Sequence, residues 1–493
     1  MVVLAVLMVV LVASGDTTTP RVRDFSWQGK QIGAEDTAFI LSFNRPMEHG
    51  SVEENLRIDP PLPGKVSWAG RRMAYTLLEP APYGTTYSLQ LQGAIGRFYG
   101  EKKPTQATPI HPFNGFFRSR DRAFVYIGIK GEEEGRLMLV NLSGSDPKAI
   151  PLTPKDLVVM DFKLYPDGDR ILFSAADRTE MQSNNFNQEL FTVTTGIHPH
   201  SPGEEMPHSE VAGKIDKVLD SKEYQNLKFD LSADGKLLVI QRVNRRNPAD
   251  YGPWLLQEGE KPRRLENPEG GDFMIRPDSK SMVMSQREGL AIVPLKPNAD
   301  PVELLPKYQQ VLGLARDNSA AVYVKYNTDY TRSLFLKTNQ GIEQEVFRIA
   351  GSIISVQFDP RKNPNTSVGR LYCLLAQRLK TEDYKEQPYI AAIDLKQEGT
   401  RLVGTMKPLV ILPNQIDIHM SLSPDGLALL FDQSIPEKNK SGKADIPRGD
   451  SGSAIATSRL WLLPLVDLRT DAAQPLLQPE ELPFIGFQPR WLP

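Results

Sequence analysis

Two stretches decide how this chain is read: FKLYPDGDRILFSA at 162–175 and MSLSPDGLALLFDQ at 420–433. Each is an apolar–polar alternation, then Pro-Asp-Gly, then an apolar run. Proline fixes φ, aspartate caps its own turn and glycine accepts positive φ, so the phrase encodes a β-hairpin. FDLSADGKLLVIQR (229–242) and FMIRPDSKSMVMSQ (273–286) repeat it closely. FFRSRDRAFVYIG (116–128), LGLARDNSAAVYVK (312–325) and VQFDPRKNPNTSVGRLYCLLA (356–376) carry weaker copies.

The turn aspartates are Asp121, Asp167, Asp234, Asp278, Asp317 and Asp425, with Pro360 at the equivalent place in the sixth copy. Their spacings cluster near 39–46 residues, with two longer ones. Third strands are predicted at Leu137–Leu142, Leu190–Val193, Leu290–Pro294, Leu334–Lys337, Ile390–Leu395 and Leu460–Leu465, and fourth strands at AIPLT (149–153) and RRLEN (263–267). A strand-bearing period of about 40–50 residues denotes a β-propeller. The predicted fold is all-β, with a seven-bladed, four-stranded propeller over 113–493; six and eight blades are the neighbouring counts.

The phrase x-x-S-P-D-G-x-x-L-x-F followed by L-x-x-x-x-L resembles the TolB-like, PD40-type (WD40-like) propeller, over about 113–493. Serine precedes the proline only in the last copy, and PDG is intact only twice. The closing FIGFQPRWLP (484–493) resembles the opening of another blade. It is expected to complete the first blade's sheet and close the ring, removing exposed sheet edges. The resemblance implies envelope-associated interaction; no specific partner follows, because an unrelated module stands in place of that family's helical N-terminal domain.

That module is residues 22–100. Phe25–Trp27, Ala38–Phe43, Leu56–Ile58, Val66–Trp68, Met73–Leu77 and Tyr87–Leu91 are short β-rich runs separated by Gly and Pro, the pattern of a sandwich. FNRPMEHGSV (43–52), IDPPLPGKVSWAG (58–70) and LEPAPYGTTYSLQL (78–91) together resemble the bacterial Ig-like (SbsA-type) domain of exported proteins. The resemblance implies a spacer or adhesion module, with Met47 and Trp68 in its core. Residues 101–112, EKKPTQATPIHP, read as a linker.

Met1 to Ala13 is an unbroken apolar run followed by SGDTTTP. Thirteen residues suit a signal-peptide core better than a bilayer span, which needs about 20. The positively charged residue that usually precedes such a run is missing, so cleaved signal peptide and membrane anchor both stand for 1–21; the protein is read as exported: periplasmic, inner-membrane-anchored or cell-surface. Proline is enriched, 40 of 493 residues, which argues against long helices. A net charge of −2 leaves no footprint for nucleic acid. The single cysteine, Cys373, excludes a disulfide framework and sits in an apolar strand, LYCLLA.

The hairpin turns are short, whereas 176–189, 377–388, 434–459 and the segment 196–225 are long. They are predicted to decorate one face and to bind an envelope protein or polysaccharide there, since loops on a rigid scaffold carry recognition. No catalytic, cofactor or metal site is expected. Gly449-Asp450-Ser451-Gly452 spells a serine-protease motif and Arg448-Gly449-Asp450 an integrin-type tripeptide, but the loop offers no adjacent base or oxyanion hole. His198, His200 and His208, near Glu204, Glu205 and Glu210, lie in a Pro-rich loop without a fixed frame for a metal. The alternative is an enzyme or glycan-binding propeller with a site in the central channel. Its candidate residues are His419, Asp161, Lys228 and Asp272, near the innermost strands, where fixing those strands by local hydrogen bonds is the competing role.

Overall fold

A computed structural model describes residues 19–97, 108–144, 146–182, 187–197, 211–265, 271–296, 302–361, 369–380, 385–399, 401–413, 415, 417–436, 446–465 and 478–493. The N-terminal apolar run and the three histidines of 198–208 lie outside these residues. Two compact units form, the first taking the chain up to Arg120 and the second nearly all of Asp121–Pro493.

In the first unit, alternation drives the strands. Ala38–Phe43 points Phe39, Leu41 and Phe43 inward and leaves Ala38 and Ile40 outside. Val22–Phe25, Ala38–Phe43, Arg72–Leu77 and Gly64–Ala69 form one four-stranded sheet. Gln31–Ile32, Phe113–Ser119, Thr86–Leu91 and Leu56–Asp59 form the other. Phe39, Leu41 and Met73 from the first meet Tyr87, Leu89, Leu91 and Phe117 from the second in one core, which makes the unit a β-sandwich. Met47 is fully buried there. Trp68 packs against the core and stacks on His49 at 4.1 Å. A short helix, His49–Asn55, was not foreseen; the Glu48 carboxylate caps it by accepting the N–H groups of Gly50 and Ser51.

Two expected boundaries move. Phe113–Ser119 pairs with Thr86–Leu91 and Gln31–Ile32, so it is a sandwich strand and the weak copy at 116–128 is no hairpin. Its alternation, burying Gly115, Phe117 and Ser119, looks the same in either unit. Ile110, placed in the linker by sequence, is buried in the sandwich core.

The second unit contains, among the described residues, seven four-stranded antiparallel sheets. The innermost strands are Gly486–Trp491, Leu157–Leu164, Tyr224–Leu231, Phe273–Ile275, Gln310–Leu314, Gly351–Phe358 and Met420–Leu422. Outside them run Ala123–Gly128, Arg170–Asp177, Leu237–Asn244, Ser281–Gln286, Ala320–Tyr326, Gly369–Arg378 and Ala428–Pro436. Each of these second strands carries a central apolar stretch because both faces are covered there, and alternate residues enter opposite interlayers. Ile171 and Phe173 face the first sheet, while Leu172 faces the third. Val239 faces the fourth sheet, while Leu238 and Ile240 face the second. Val283 meets Tyr323 of the fifth sheet, and Val322 and Val324 meet Leu371 and Cys373 of the sixth. Tyr372 and Leu374 meet Leu429 and Phe431 of the seventh. Finally Leu430 meets Phe124, Tyr126 and Trp491 of the first. An apolar interlayer thus joins each sheet to the next and the last to the first, which is a closed β-propeller. Each fully buried Leu, Val or Phe contributes roughly 1.5–3 kcal/mol.

Closure follows the sequence expectation: Gly486–Trp491 pairs with Ala123–Gly128 as the first sheet's innermost strand. The turn chemistry also holds. Gly168, Gly235 and Gly426 have φ of 70°, 70° and 72°, and in the degraded copies Ser279 and Asn318 take φ of 55° and 57° at the same place.

The long segments do not all share a face. Thr195, at the end of the strand Glu189–Thr194, donates its N–H and hydroxyl to Asp169 and its hydroxyl to Gly168, so the chain leaves that strand on the PDG-turn side. Within 196–225, Ile215–Leu219 is the second sheet's fourth strand. Both ends of 377–388 and of 434–459 are strand as well, up to Arg378 and Pro436 and again from Glu386 and Ile455. Opposite the PDG turns lie the second-to-third-strand connections and the links from each fourth strand to the next sheet.

Candidate functional site

The innermost strands carry ionisable residues along the space they enclose. Five of them bulge: between Val159 and Asp161, Asn226 and Phe229, Val311 and Gly313, Ile353 and Ser355, and Phe487 and Arg490. A bulge re-aims the residue it releases. At Gln488 this requires φ of 54°, in the left-handed region.

These side chains are tied from one sheet to the next. Asp161 accepts Gln488 Nε2 at 2.7 Å and lies 3.4 Å from Arg490, whose guanidinium sits over the Phe162 ring. Lys163 pairs with Asp230 at 3.2 Å, and Asp230 also accepts the N–H of Ile275. Lys228 pairs with Asp272 at 2.8 Å. Gln357 spans to the seventh sheet, donating to the Met420 carbonyl and accepting from Leu422 N–H. Asp161, Lys228 and Asp272 are therefore inter-sheet ties.

His419 is different. Its backbone N–H and Nδ1 engage the two carboxylate oxygens of Asp432, at 2.7 and 2.9 Å. Asp432 is fully buried in the strand Ala428–Pro436 and also accepts the N–H of Gln488. Nε2 of His419 lies 3.3 Å from Asp450 Oδ2, off the hydrogen-bond line, and has no hydrogen-bond partner. Burial disfavours charge on this imidazole, but Asp432 and then Asp450 outweigh it and raise its pKa to about 10. Asp450 in turn is held below the usual carboxylate range, first by His419 and then by Arg490 and Lys228.

Asp450 reaches this position through its turn. Gly449 donates to Ser453 O, and Arg448 bridges Ala454. Ser451 donates its N–H and hydroxyl to Asp417, at 2.9 and 2.7 Å. Gly449 lies against the same carboxylate so closely that a Cβ would collide with it. The Gly-Asp-Ser-Gly motif is thus an anchoring turn. Its serine is bound to Asp417, and the residue facing His419 is the aspartate, so no nucleophile–base pair forms.

Sequence reasoning named His419, Asp161, Lys228 and Asp272 but missed Asp432, Asp450, Gln488 and Arg490. Asp432 had a signal, a carboxylate ending the apolar run LALLFD. Cys373 is fully buried between the fifth and sixth sheets, and burial pushes its thiol pKa up. Among the described residues, no cluster of three or more His, Cys, Asp or Glu could hold a metal, and no helix is long and apolar enough to cross a membrane.

No protein-family model matches this chain, and no curated protein does. Solved structures similar to it include TolB from Acinetobacter baumannii, 10% identical, covering 89% of this chain and 83% of that one, TM-score 0.38. Oligogalacturonate lyase from Vibrio parahaemolyticus is 11% identical, covering 68% and 89%, TM-score 0.41. A 6-phosphogluconolactonase candidate from Bacteroides fragilis is 10% identical, covering 76% and 98%, TM-score 0.42.

Proposed function

We propose that this chain is an exported, non-catalytic binding protein of the bacterial envelope, built from an Ig-like spacer and a seven-bladed propeller. The apolar run at 1–13 supports export, and the sandwich with its core Met47 supports the spacer.

One observation carries the binding reading. Ionisable groups on the innermost strands are spent on ties between sheets, whereas large apolar side chains are exposed on the side opposite the PDG turns. Tyr326 and Tyr330 flank the turn of the fifth sheet, Leu379 and Ile411 end strands of the sixth, and Ile435 ends a strand of the seventh. Tyr330 is 90% and Ile411 74% exposed. Exposed tyrosine and aliphatic anchors on a rigid frame suit a protein partner better than a polysaccharide coat.

The test is site-specific photocrosslinking in intact cells, with the probe at Tyr330, at Ile435 and, on the PDG-turn side, at Val211. A discrete adduct at the first two positions and none at Val211 supports the reading. Equal labelling at all three, or none, overturns it.

A further inference from the structure

We propose that a cavity where the fifth and sixth sheets meet, on the PDG-turn side, binds a carboxylate carried on a small apolar body, with Phe358 N–H and the Arg316 guanidinium as its donors. Just past the end of each innermost strand, a residue donates its N–H to the second strand: Ser232 to Leu237, Arg276 to Ser281, Asp359 to Arg370, Ser423 to Ala428 and Leu492 to Ala123. Bonded and non-bonded pairs alternate along an antiparallel ladder, so the last residue of the strand turns its own N–H away from its sheet.

Three of these N–H groups are capped by the preceding sheet, each time by the last-but-one residue of its innermost strand. Asp230 accepts Ile275 N–H at 2.8 Å, Gln357 accepts Leu422 N–H at 2.6 Å, and Ser421 accepts Trp491 N–H at 3.1 Å. For Phe358 the residue in that place is Gly313, which has no side chain. A Cβ there would stand 2.7 Å from the Val356 carbonyl oxygen, so the chain cannot supply the cap. Phe358 N–H has no acceptor among the described residues. Arg490, Lys163 and Met274 hold the same place at the other three junctions and offer no oxygen either, but the two cations are taken up by Asp161 and Asp230.

The Phe358 junction adds space and charge. A cavity of about 180 Å³ opens there, lined by Leu314, Val356, Phe358 and Leu422. An apolar cavity of about 150 Å³ holds a benzene ring. Arg316 lines the same cavity, is exposed, and makes no ion pair or hydrogen bond among the described residues. The adjoining acids are committed elsewhere: Asp359 to Arg361 at 2.9 Å, Asp425 to Ser423 and Arg122, and Asp317 to Ser319. The protein itself shows the geometry such a ligand would adopt. At the third-to-fourth junction one oxygen of Asp230 accepts Ile275 N–H and the other meets Lys163 at 3.2 Å. An external carboxylate bridging Phe358 N–H and Arg316 repeats that arrangement. This inference is independent of the exposed apolar side chains, which lie on the opposite side.

The experiment labels the full chain with 15N-phenylalanine and follows the Phe358 amide by NMR, identified by its loss in Phe358→Leu. Benzoate, uncharged benzamide and acetyl-Gly-Phe, whose only carboxylate is a chain end, are titrated at pH 7, with sodium chloride at equal ionic strength as the control. Benzoate is expected to move the Phe358 amide saturably, with a midpoint at least tenfold lower than benzamide. Arg316→Gln should raise the benzoate midpoint at least tenfold, and Arg316→Lys, which keeps the charge, should fall between it and wild type. A lower midpoint for benzoate than for acetyl-Gly-Phe supports the site with a free small acid as its ligand; the reverse supports it with a carboxylate read on a chain end. No saturable shift beyond chloride, equal midpoints for benzoate and benzamide, or an unchanged benzoate midpoint in Arg316→Gln overturns the proposal.

Discussion

The buried carboxylate of Asp432 accepts the backbone N–H of Gln488 at 2.8 Å, joining the seventh sheet to the strand that completes the first. The same group holds His419 through its N–H and Nδ1. Asp432 is therefore a closure residue as well as the partner of His419. Beside it, Trp491 N–H donates to Ser421 Oγ, a second tie across the same junction.

Asp432→Ala removes three accepted contacts and leaves His419 buried without its counter-charge. Breaking such a pair costs roughly 3–5 kcal/mol. The urea midpoint of the second unit should fall accordingly, with the slope unchanged, as read by tryptophan fluorescence.

Deleting 484–493 removes the first sheet's innermost strand and opens the edge of Ala123–Gly128. It also strips Phe487 and Trp491 from the interlayers on either side of that sheet. The truncated chain should lose cooperative unfolding and self-associate through the unpaired edge, which size-exclusion chromatography and near-ultraviolet circular dichroism would detect.

His419 gives stability a pH dependence of defined sign. Its folded pKa is about 10, against an ordinary value of about 6.5. A raised pKa stabilises the fold fully below the unfolded value, and the contribution is lost as pH rises through the folded one. The stability advantage of wild type over His419→Gln should be largest at pH 6 and shrink steadily toward pH 10. Paired chemical melts across that range check it.

Ser279 occupies the left-handed turn position that glycine fills in the intact copies, with φ of 55°. Ser279→Gly should therefore stabilise the protein by about 1 kcal/mol, visible as a higher thermal midpoint. Gly235→Ala, at φ of 70°, should move it the other way.

Cys373 has no exposed surface and its thiol pKa is raised by burial. Thiol reagents at pH 8 should leave the native protein unlabelled and react once per chain after unfolding in urea. Labelling of the native protein as fast as the unfolded chain would place this strand at the surface.

Much of the fold was legible because both faces of the second strands are covered. A strand buried twice over writes an apolar run such as ILF (171–173) or LALLF (427–431), and the Pro-Asp-Gly turn before it gives the register. The copy at 116–128 misled for a physical reason. Alternation says that a strand has one covered face, not which sheet covers it, and Phe113–Ser119 was claimed by the sandwich. The long segment after Thr194 was assigned to the wrong side because its fourth strand, IDKVL, is polar enough to read as loop. The residues around His419 were half legible: His419 stands out as one of only six histidines, whereas Asp450 is brought to it by a turn whose path depends on Ser451 and Asp417.

The sequence by itself determined the repeating β-hairpin, the all-β class, the turn conformations and the closing role of 484–493. Each depends on local chemistry: proline and glycine dihedrals, period-two burial and strand length. The tertiary structure decided which unit owns Phe113–Ser119, which side each long segment leaves from, and that Asp432, Gln488, Asp450 and His419 meet. Those depend on contacts between residues far apart in the chain, and charge pairing across such distances leaves no periodic mark in the sequence.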